Sequence, residues 1–187
     1  LRKILRENNY FDDNKNEPNL LTNLDLVALG TVCDVVNLSA YNRNFIIKGM
    51  EIIKKRINKG ISQIIDNSNI NHSPTTNDLS FIIGPQLNAA SRVDDSSLSH
   101  QLLISNNLVE IETITKKLFL LNEKRKLIES KIYDQALEQA KNQNNKKFLL
   151  VYGLGWHKGI LGIIASRLVE KFNKPAIVIS IDQNIGI

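Results

Sequence analysis

The chain has 187 residues, of which 42% are hydrophobic, a formal net charge of +5 and a single cysteine. This hydrophobic content is normal for a globular protein and argues against intrinsic disorder, and no apolar run reaches the ~20 residues that a membrane span needs. A lone cysteine cannot form an internal disulfide, which fits a reducing compartment, so we expect a cytoplasmic protein with no membrane segment. The mild positive charge is compatible with a polyanionic partner without identifying one.

The first part of the chain predicts helices. A short helical start is followed by a polar, irregular stretch to about Pro18. Residues 20–35 then carry apolar side chains at the spacing of one helix face, and the alternative for their Val-rich end is extended chain. A second amphipathic helix is predicted with Asn42 as its cap and Gly60 near its end. Its apolar residues are Ile46, Ile47, Met50, Ile53 and Ile57.

One long helix is predicted over residues 108–142, where apolar residues recur at helical spacing and neither Pro nor Gly interrupts. At 1.5 Å per residue its length is on the order of 50 Å, which exceeds the width of a small domain. We therefore expect this helix to connect two bodies.

After a polar break at residues 142–145 the pattern changes to that of a β-α-β unit. Residues 148–152 and 175–180 are predicted strands, and residues 163–172 form the predicted helix between them. A glycine-rich segment, residues 153–162, precedes that helix. Two strands joined by a crossover helix are parallel, so a parallel sheet is expected here.

Two carboxylates, Asp25 and Asp34, interrupt the apolar run of residues 24–36. A carboxylate in such a place is costly unless it is paired or binds a cation. The alternatives are that Asp25 lies on a polar helix face and that Asp34 caps the next turn. Cys33 is interpreted as a small core residue rather than a nucleophile.

Residues 84–92 form a run of mostly small side chains that ends in Arg92. Small residues allow a backbone to approach a ligand closely, and an arginine fork holds a phosphate with two hydrogen bonds. The alternative interpretation is a tight packing site with a surface arginine.

His157 and Lys158 lie in a glycine-bearing loop between the first predicted strand and the following helix. Such a loop presents backbone N–H groups at a helix N-terminus, which favours phosphate. The segment is not a P-loop, because the Gly-Lys-Ser/Thr ending is missing. A lone histidine is more often structural than catalytic.

These three segments, in this order and with a long helix between the second and third, resemble the single-strand DNA exonucleases of the phosphoesterase family named for its Asp-His-His motif. By that resemblance Asp34 falls on a metal-ligand position. Asn88 and Arg92 match the family's Gly-Pro-Arg-Leu-Asn-Ala-Ala-Gly-Arg segment and would face DNA phosphates. His157 and Lys158 belong to its accessory-domain signature, Trp-His-x-Gly-Val-x-Gly-Ile-x-Ala-Ser-Arg, and would do the same.

Three positions depart from the family pattern. Cys33 replaces the usual Ala, which is a harmless exchange, and Ser91 replaces Gly. Gln86 replaces Arg, which removes one possible phosphate contact. If the segment touches DNA, we expect Gln86→Arg to tighten binding.

The resemblance implies an α/β protein with three parts. Residues 1–106 would be the C-terminal part of the Asp-His-His catalytic domain, residues 107–145 the connecting helix, and residues 146–187 the start of an accessory α/β domain with parallel strands. The helix would hold Arg92 and His157 in separate domains, with a single strand of DNA in the cleft between the two domains.

The implied function is 5′→3′ hydrolysis of single-stranded DNA in repair and recombination, with two Mn²⁺ or Mg²⁺ ions. No Asp-His-His triplet occurs here, so no catalytic set is complete and we expect the chain alone to be inactive. Single-stranded DNA and the missing N-terminal part of the same enzyme are the expected partners. Two alternatives stay open: a phosphodiesterase acting on oligoribonucleotides or cyclic dinucleotides, and a non-catalytic DNA-binding remnant.

Overall fold

The structure, a computed structural model, describes residues 1–12, 15–143, 145–183 and 185–186. Residue 144 of the predicted polar break and residue 187 at the end of the predicted accessory domain lie outside the described residues. No helix in the part of the chain that is described is both long and apolar enough to cross a membrane.

Helices make up the first part of the chain, as the sequence predicts. In chain order they are α1 (Arg2–Glu7), a 3₁₀ turn (Leu20–Asn23), α2 (Leu24–Cys33), α3 (Ala40–Lys54), α4 (Lys59–Asn67), α5 (Thr76–Asp78), α6 (Gly84–Val93), α7 (Ser97–Ile104) and α8 (Leu108–Lys141). Helices α2 and α3 pack closely at Gly49, where a Cβ would lie 2.1 Å from the Leu24 carbonyl oxygen. That approach is possible only for glycine.

One helical stretch contains α5, a π-helical turn (Leu79–Ile83) and α6 in direct succession. It begins at a capping box, in which the side chains of Thr75 and Asp78 each accept a hydrogen bond from the other residue's backbone N–H. Pro85 lies in the first turn of α6, where a missing N–H is tolerated. The π turn places Phe81 outward, and such turns are frequent at functional sites.

Helix α8 belongs to both hydrophobic cores. Ile111, Ile114 and Leu118 near its start pack into the helical core, and Ile132 and Ala136 further along pack under the sheet. The helix predicted over residues 108–142 is thereby confirmed. That it connects two separate domains stays a prediction.

The last part of the chain is the predicted β-α-β unit. Strands β1 (Leu149–Leu154) and β2 (Ala176–Asp182) pair in parallel, and α9 (Lys158–Phe172) connects them. A short strand that the sequence did not predict, β3 (Ile185–Gly186), adds antiparallel to β2.

Several predicted boundaries are wrong. Ser39, not Asn42, is the N-cap residue of α3. Gly60 does not end a helix but lies inside α4, where a Cβ would be 2.3 Å from the Leu102 carbonyl oxygen. Helix α9 begins at Lys158, five residues before the first residue of the predicted helix, because His157 caps it.

Candidate functional site

The three sequence motifs meet at one small polar pocket, of about 130 Å³, which we call the motif pocket. It lies where α6 approaches both the end of α2 and the start of α9. Its lining residues are Cys33, Ser80, Gly84, Pro85, Asn88, Arg92, Arg125 and Ile163. Motif residues far apart in sequence are therefore neighbours in space.

Cys33 joins the first motif to the second by packing on Gly84. A Cβ at Gly84 would lie 2.5 Å from the Cys33 sulfur, so only glycine fits there. The thiol donates a weak hydrogen bond to the Leu79 carbonyl oxygen at 3.6 Å. Burial, with a smaller contribution from the Asp34 charge, raises the pKa of Cys33 to about 11. A thiol with that pKa is a packing residue at neutral pH, as the sequence analysis expected.

Asp34 follows directly at the C-terminus of α2 and is exposed to solvent. Its backbone N–H donates to the Gly30 carbonyl oxygen, and no hydrogen bond or ion pair of its carboxylate occurs within the described residues. The next residue, Val35, adopts a left-handed φ of 52°. A β-branched residue rarely adopts that conformation, and strain of this kind is typical of functional sites.

Asp34 cannot hold a metal ion with the neighbours found here. The described residues contain no group of three His, Cys, Asp or Glu side chains that could bind one. The exposed carboxylate fits the role of one ligand among several, and the remaining ligands would have to come from outside this part of the protein. The metal-ligand role of Asp34 stays a prediction.

Arg92 links α6 directly to α9. Its Nη1 donates a hydrogen bond to the Gly159 carbonyl oxygen at 3.1 Å. The backbones of Arg92 and Gly159 also approach each other closely, because a Cβ at Gly159 would lie 2.3 Å from the Arg92 carbonyl oxygen. The expectation that the long helix holds Arg92 apart from the His157 segment is therefore wrong. A guanidinium has five N–H donors, so Arg92 retains donors for a ligand in the motif pocket.

Asn88, His157 and Lys158 are all exposed. Asn88 reaches the motif pocket from the outer face of α6. His157 is the N-cap residue of α9, and its Nδ1 accepts a hydrogen bond from the Gly159 N–H at 3.2 Å. Its ring proton then lies on Nε2, which can donate to a ligand. The structural and functional interpretations of His157 are therefore compatible.

A partly buried ion-pair network behind the motif pocket was missed from the sequence. Glu129 accepts from Arg125 Nη1 at 2.6 Å and from Arg167 Nη1 at 3.0 Å. The Arg167 guanidinium also stacks over Tyr133, 3.8 Å from the ring centroid. The signal in the sequence was the i,i+4 spacing of Arg125 and Glu129 on the long helix. This network joins α8 to α9 and fixes Arg125 at the pocket.

Gln86 is buried, with 4% of its surface exposed. Its Nε2 donates to the Ser68 hydroxyl oxygen at 2.8 Å, so its side chain turns away from the exposed face that carries Asn88. Gln86→Arg would therefore place a charge at a buried position, which is unfavourable. That the substitution tightens binding to DNA stays a prediction.

Proteins similar to this chain belong to one class of enzyme, the single-stranded-DNA-specific exonucleases. Each of these relatives is a RecJ protein. RecJ of Dickeya dadantii is 40% identical over 95% of this chain, and RecJ of Bacillus subtilis is 33% identical over 88%. A crystal structure of RecJ from Thermus thermophilus in complex with Mn²⁺ matches with a TM-score of 0.81 and 27% identity over 87% of this chain.

The chain spans between one fifth and one third of the length of these relatives: 32% of the Dickeya protein, 21% of the Bacillus protein and 24% of the Thermus crystal chain. No protein-family model matches it. The resemblance inferred from the motifs is nevertheless confirmed: the chain is homologous to a segment of RecJ.

Proposed function

We propose that the chain is part of a metal-dependent, cytoplasmic 5′→3′ exonuclease that degrades single-stranded DNA in repair and recombination. The observation that carries the proposal is the convergence of three separate motifs at the motif pocket, in a chain homologous to RecJ. The pocket offers Arg92 and Asn88 as polar contacts. The N-terminus of α9, with His157 and Lys158, lies beside it through the Arg92–Gly159 contact.

These groups suit the backbone of a nucleic acid rather than its bases. A helix N-terminus and an arginine fork both favour phosphate, and neither depends on base identity. We therefore propose that Arg92, Asn88, His157 and Lys158 contact DNA phosphates. Such contacts make binding depend on salt and not on sequence.

For the reaction itself, we propose that Asp34 contributes one ligand to a Mn²⁺ or Mg²⁺ centre completed by residues outside the described chain. RecJ structures have been determined with each of these metals. Such ions activate water and stabilise the leaving oxygen. In this proposal the chain presents the exposed Asp34 carboxylate one residue after Cys33, which lines the motif pocket.

An apolar groove next to Asp34 supports a further partner. The groove, lined in part by Val35, Leu38 and Ile47, has a volume of about 560 Å³. Val35 is 89% exposed. Contiguous exposed apolar surface of this kind marks a contact with other protein. We propose that the N-terminal part of the same enzyme covers it and supplies the remaining metal ligands.

A chimera tests the proposal. This chain replaces the homologous segment of Dickeya dadantii RecJ, and release of mononucleotides from labelled single-stranded DNA is measured with Mn²⁺. We expect an active chimera and no cleavage by this chain alone. The Asp34→Asn variant of the chimera should lose activity at an unchanged melting temperature. A folded, inactive chimera, or an active Asp34→Asn variant, would contradict the proposal.

One observation favours a second function for the chain by itself. Because the described residues contain no complete metal-ligand group, the chain alone would bind single-stranded DNA without cutting it.

Small phosphodiesters are the alternative substrate of the chimera. A rate that rises with strand length supports the exonuclease, and a preference for dinucleotides supports the alternative.

A further inference from the structure

A second cavity, which we call the side pocket, opens next to the motif pocket. Its volume is about 340 Å³, within the range of small-ligand sites. It shares Pro85 and Arg125 with the motif pocket, so the two cavities are adjacent. None of the residues proposed to contact phosphate lines the side pocket.

Two phenylalanines form its apolar walls. Phe81 projects from the π-helical turn and is 78% exposed, and Phe119 on α8 is 43% exposed. Large aromatic rings that remain this exposed contribute little to the hydrophobic core. Proteins that bind single-stranded nucleic acids stack the bases on exposed aromatic rings beside the groove that binds the phosphates.

The base of the side pocket carries an unpaired acceptor. The Ser68 hydroxyl donates to the Ile64 carbonyl oxygen at 2.7 Å, so its oxygen must accept from Gln86 Nε2. This orientation of the amide leaves Gln86 Oε1 buried, with no hydrogen-bond donor among the described residues. An unpaired buried acceptor is unfavourable, so a donor on a ligand would be bound there.

The charges in the side pocket balance. Lys126 pairs with Glu123 at 2.8 Å, and Arg125 pairs with Glu129. A phosphate would find no free cation there, whereas a neutral, planar group with N–H donors suits both the rings and the amide oxygen. Every nucleobase with an exocyclic amine or ring N–H has these properties.

We propose that the side pocket binds one base of a single-stranded nucleic acid whose phosphates lie in the motif pocket. The base stacks on Phe81, and its N–H donates to Gln86 Oε1. This inference rests on the proposed function, because it places the base next to the proposed phosphate contacts. It adds a binding site for the base itself, which the motifs do not predict.

The test measures binding of this chain to a short labelled oligothymidylate, and to the same backbone made of abasic residues. Loss of one stacked base weakens binding by about 5- to 150-fold, so we expect Phe81→Ala to have an effect in this range on oligothymidylate. Affinity for the abasic strand should not change. The matched control is Tyr41→Ala, since Tyr41 is also 78% exposed but lies on α3 and does not line the side pocket.

Gln86→Leu supplies a second variant, which removes the acceptor and keeps an apolar side chain. It should weaken oligothymidylate binding and leave abasic binding unchanged. Equal oligothymidylate affinities for wild type and Phe81→Ala would overturn the base pocket and favour a protein contact at these rings. If Arg92→Ala then still flattens the salt dependence, the phosphate site stands without the base pocket. If neither Phe81→Ala nor Arg92→Ala changes binding, the base pocket and the phosphate site are both refuted.

Discussion

Gly159 lies at a close contact between α6 and α9, so Gly159→Ala is an informative single change. Its Cβ would lie 2.3 Å from the Arg92 carbonyl oxygen and 3.1 Å from the Arg92 Cα. The first distance is about 1 Å shorter than a normal contact, and overpacking of this kind costs about 1–3 kcal/mol. The variant should also separate Arg92 from the carbonyl that it binds.

Gly162→Ala is the matched control on the same helix. A Cβ there meets nothing within 4 Å, and alanine is favoured over glycine in a helix by about 0.8–1 kcal/mol. Both glycines lie in α9, so this gain applies to both variants and largely cancels between them. The variants should therefore differ by the overpacking cost of about 1–3 kcal/mol, or roughly 2–12 °C in melting temperature for a chain of this size. Thermal unfolding followed by circular dichroism measures this. A Gly159→Ala variant as stable as Gly162→Ala would refute the close contact between α6 and α9.

Three further predictions concern single side chains. The raised pKa of Cys33 leaves little thiolate at about pH 8, so its thiol should react with a disulfide reagent at least about tenfold more slowly in the folded than in the unfolded chain. Burial raises the pKa of Asp25, so its contribution to stability is complete below its unfolded pKa of about 3.9 and is lost as pH rises through the folded pKa. Asp25→Asn should therefore raise the melting temperature near pH 7 but not near pH 3, and a decrease at about pH 7 would be contrary evidence. Glu129→Gln should lower stability by about 2 kcal/mol, because Arg125 and Arg167 both lose a charged acceptor, whereas Glu138→Gln, on the same helix, should have no measurable effect.

The sequence predicted those elements whose pattern is local. The long helix follows from uninterrupted helical spacing, and the parallel β-α-β unit follows from two apolar strands on either side of a helix. The motifs also identified residues that line the motif pocket, namely Asn88 and Arg92.

What the sequence did not predict depends on contacts between distant segments. Gly60 has the appearance of a helix end, but its role is set by the Leu102 backbone, more than forty positions away in the printed sequence. Gln86 has the appearance of a surface substitution until Ser68 is seen to hold it in the interior. The contact of Arg92 with Gly159 likewise has no local signal, because it depends on how α8 orients the sheet against α6.

The central claim is that phosphates bind where α6 meets the N-terminus of α9, and the salt dependence of single-strand binding tests it most directly. Lys158 and Lys171 lie at opposite ends of α9 and are both exposed. Each phosphate contact contributes about 0.7 to the slope of log affinity against log salt. Lys158→Gln should therefore flatten the slope by about 0.7, and Lys171→Gln should leave it unchanged. Equal slopes for the two variants would contradict the claim.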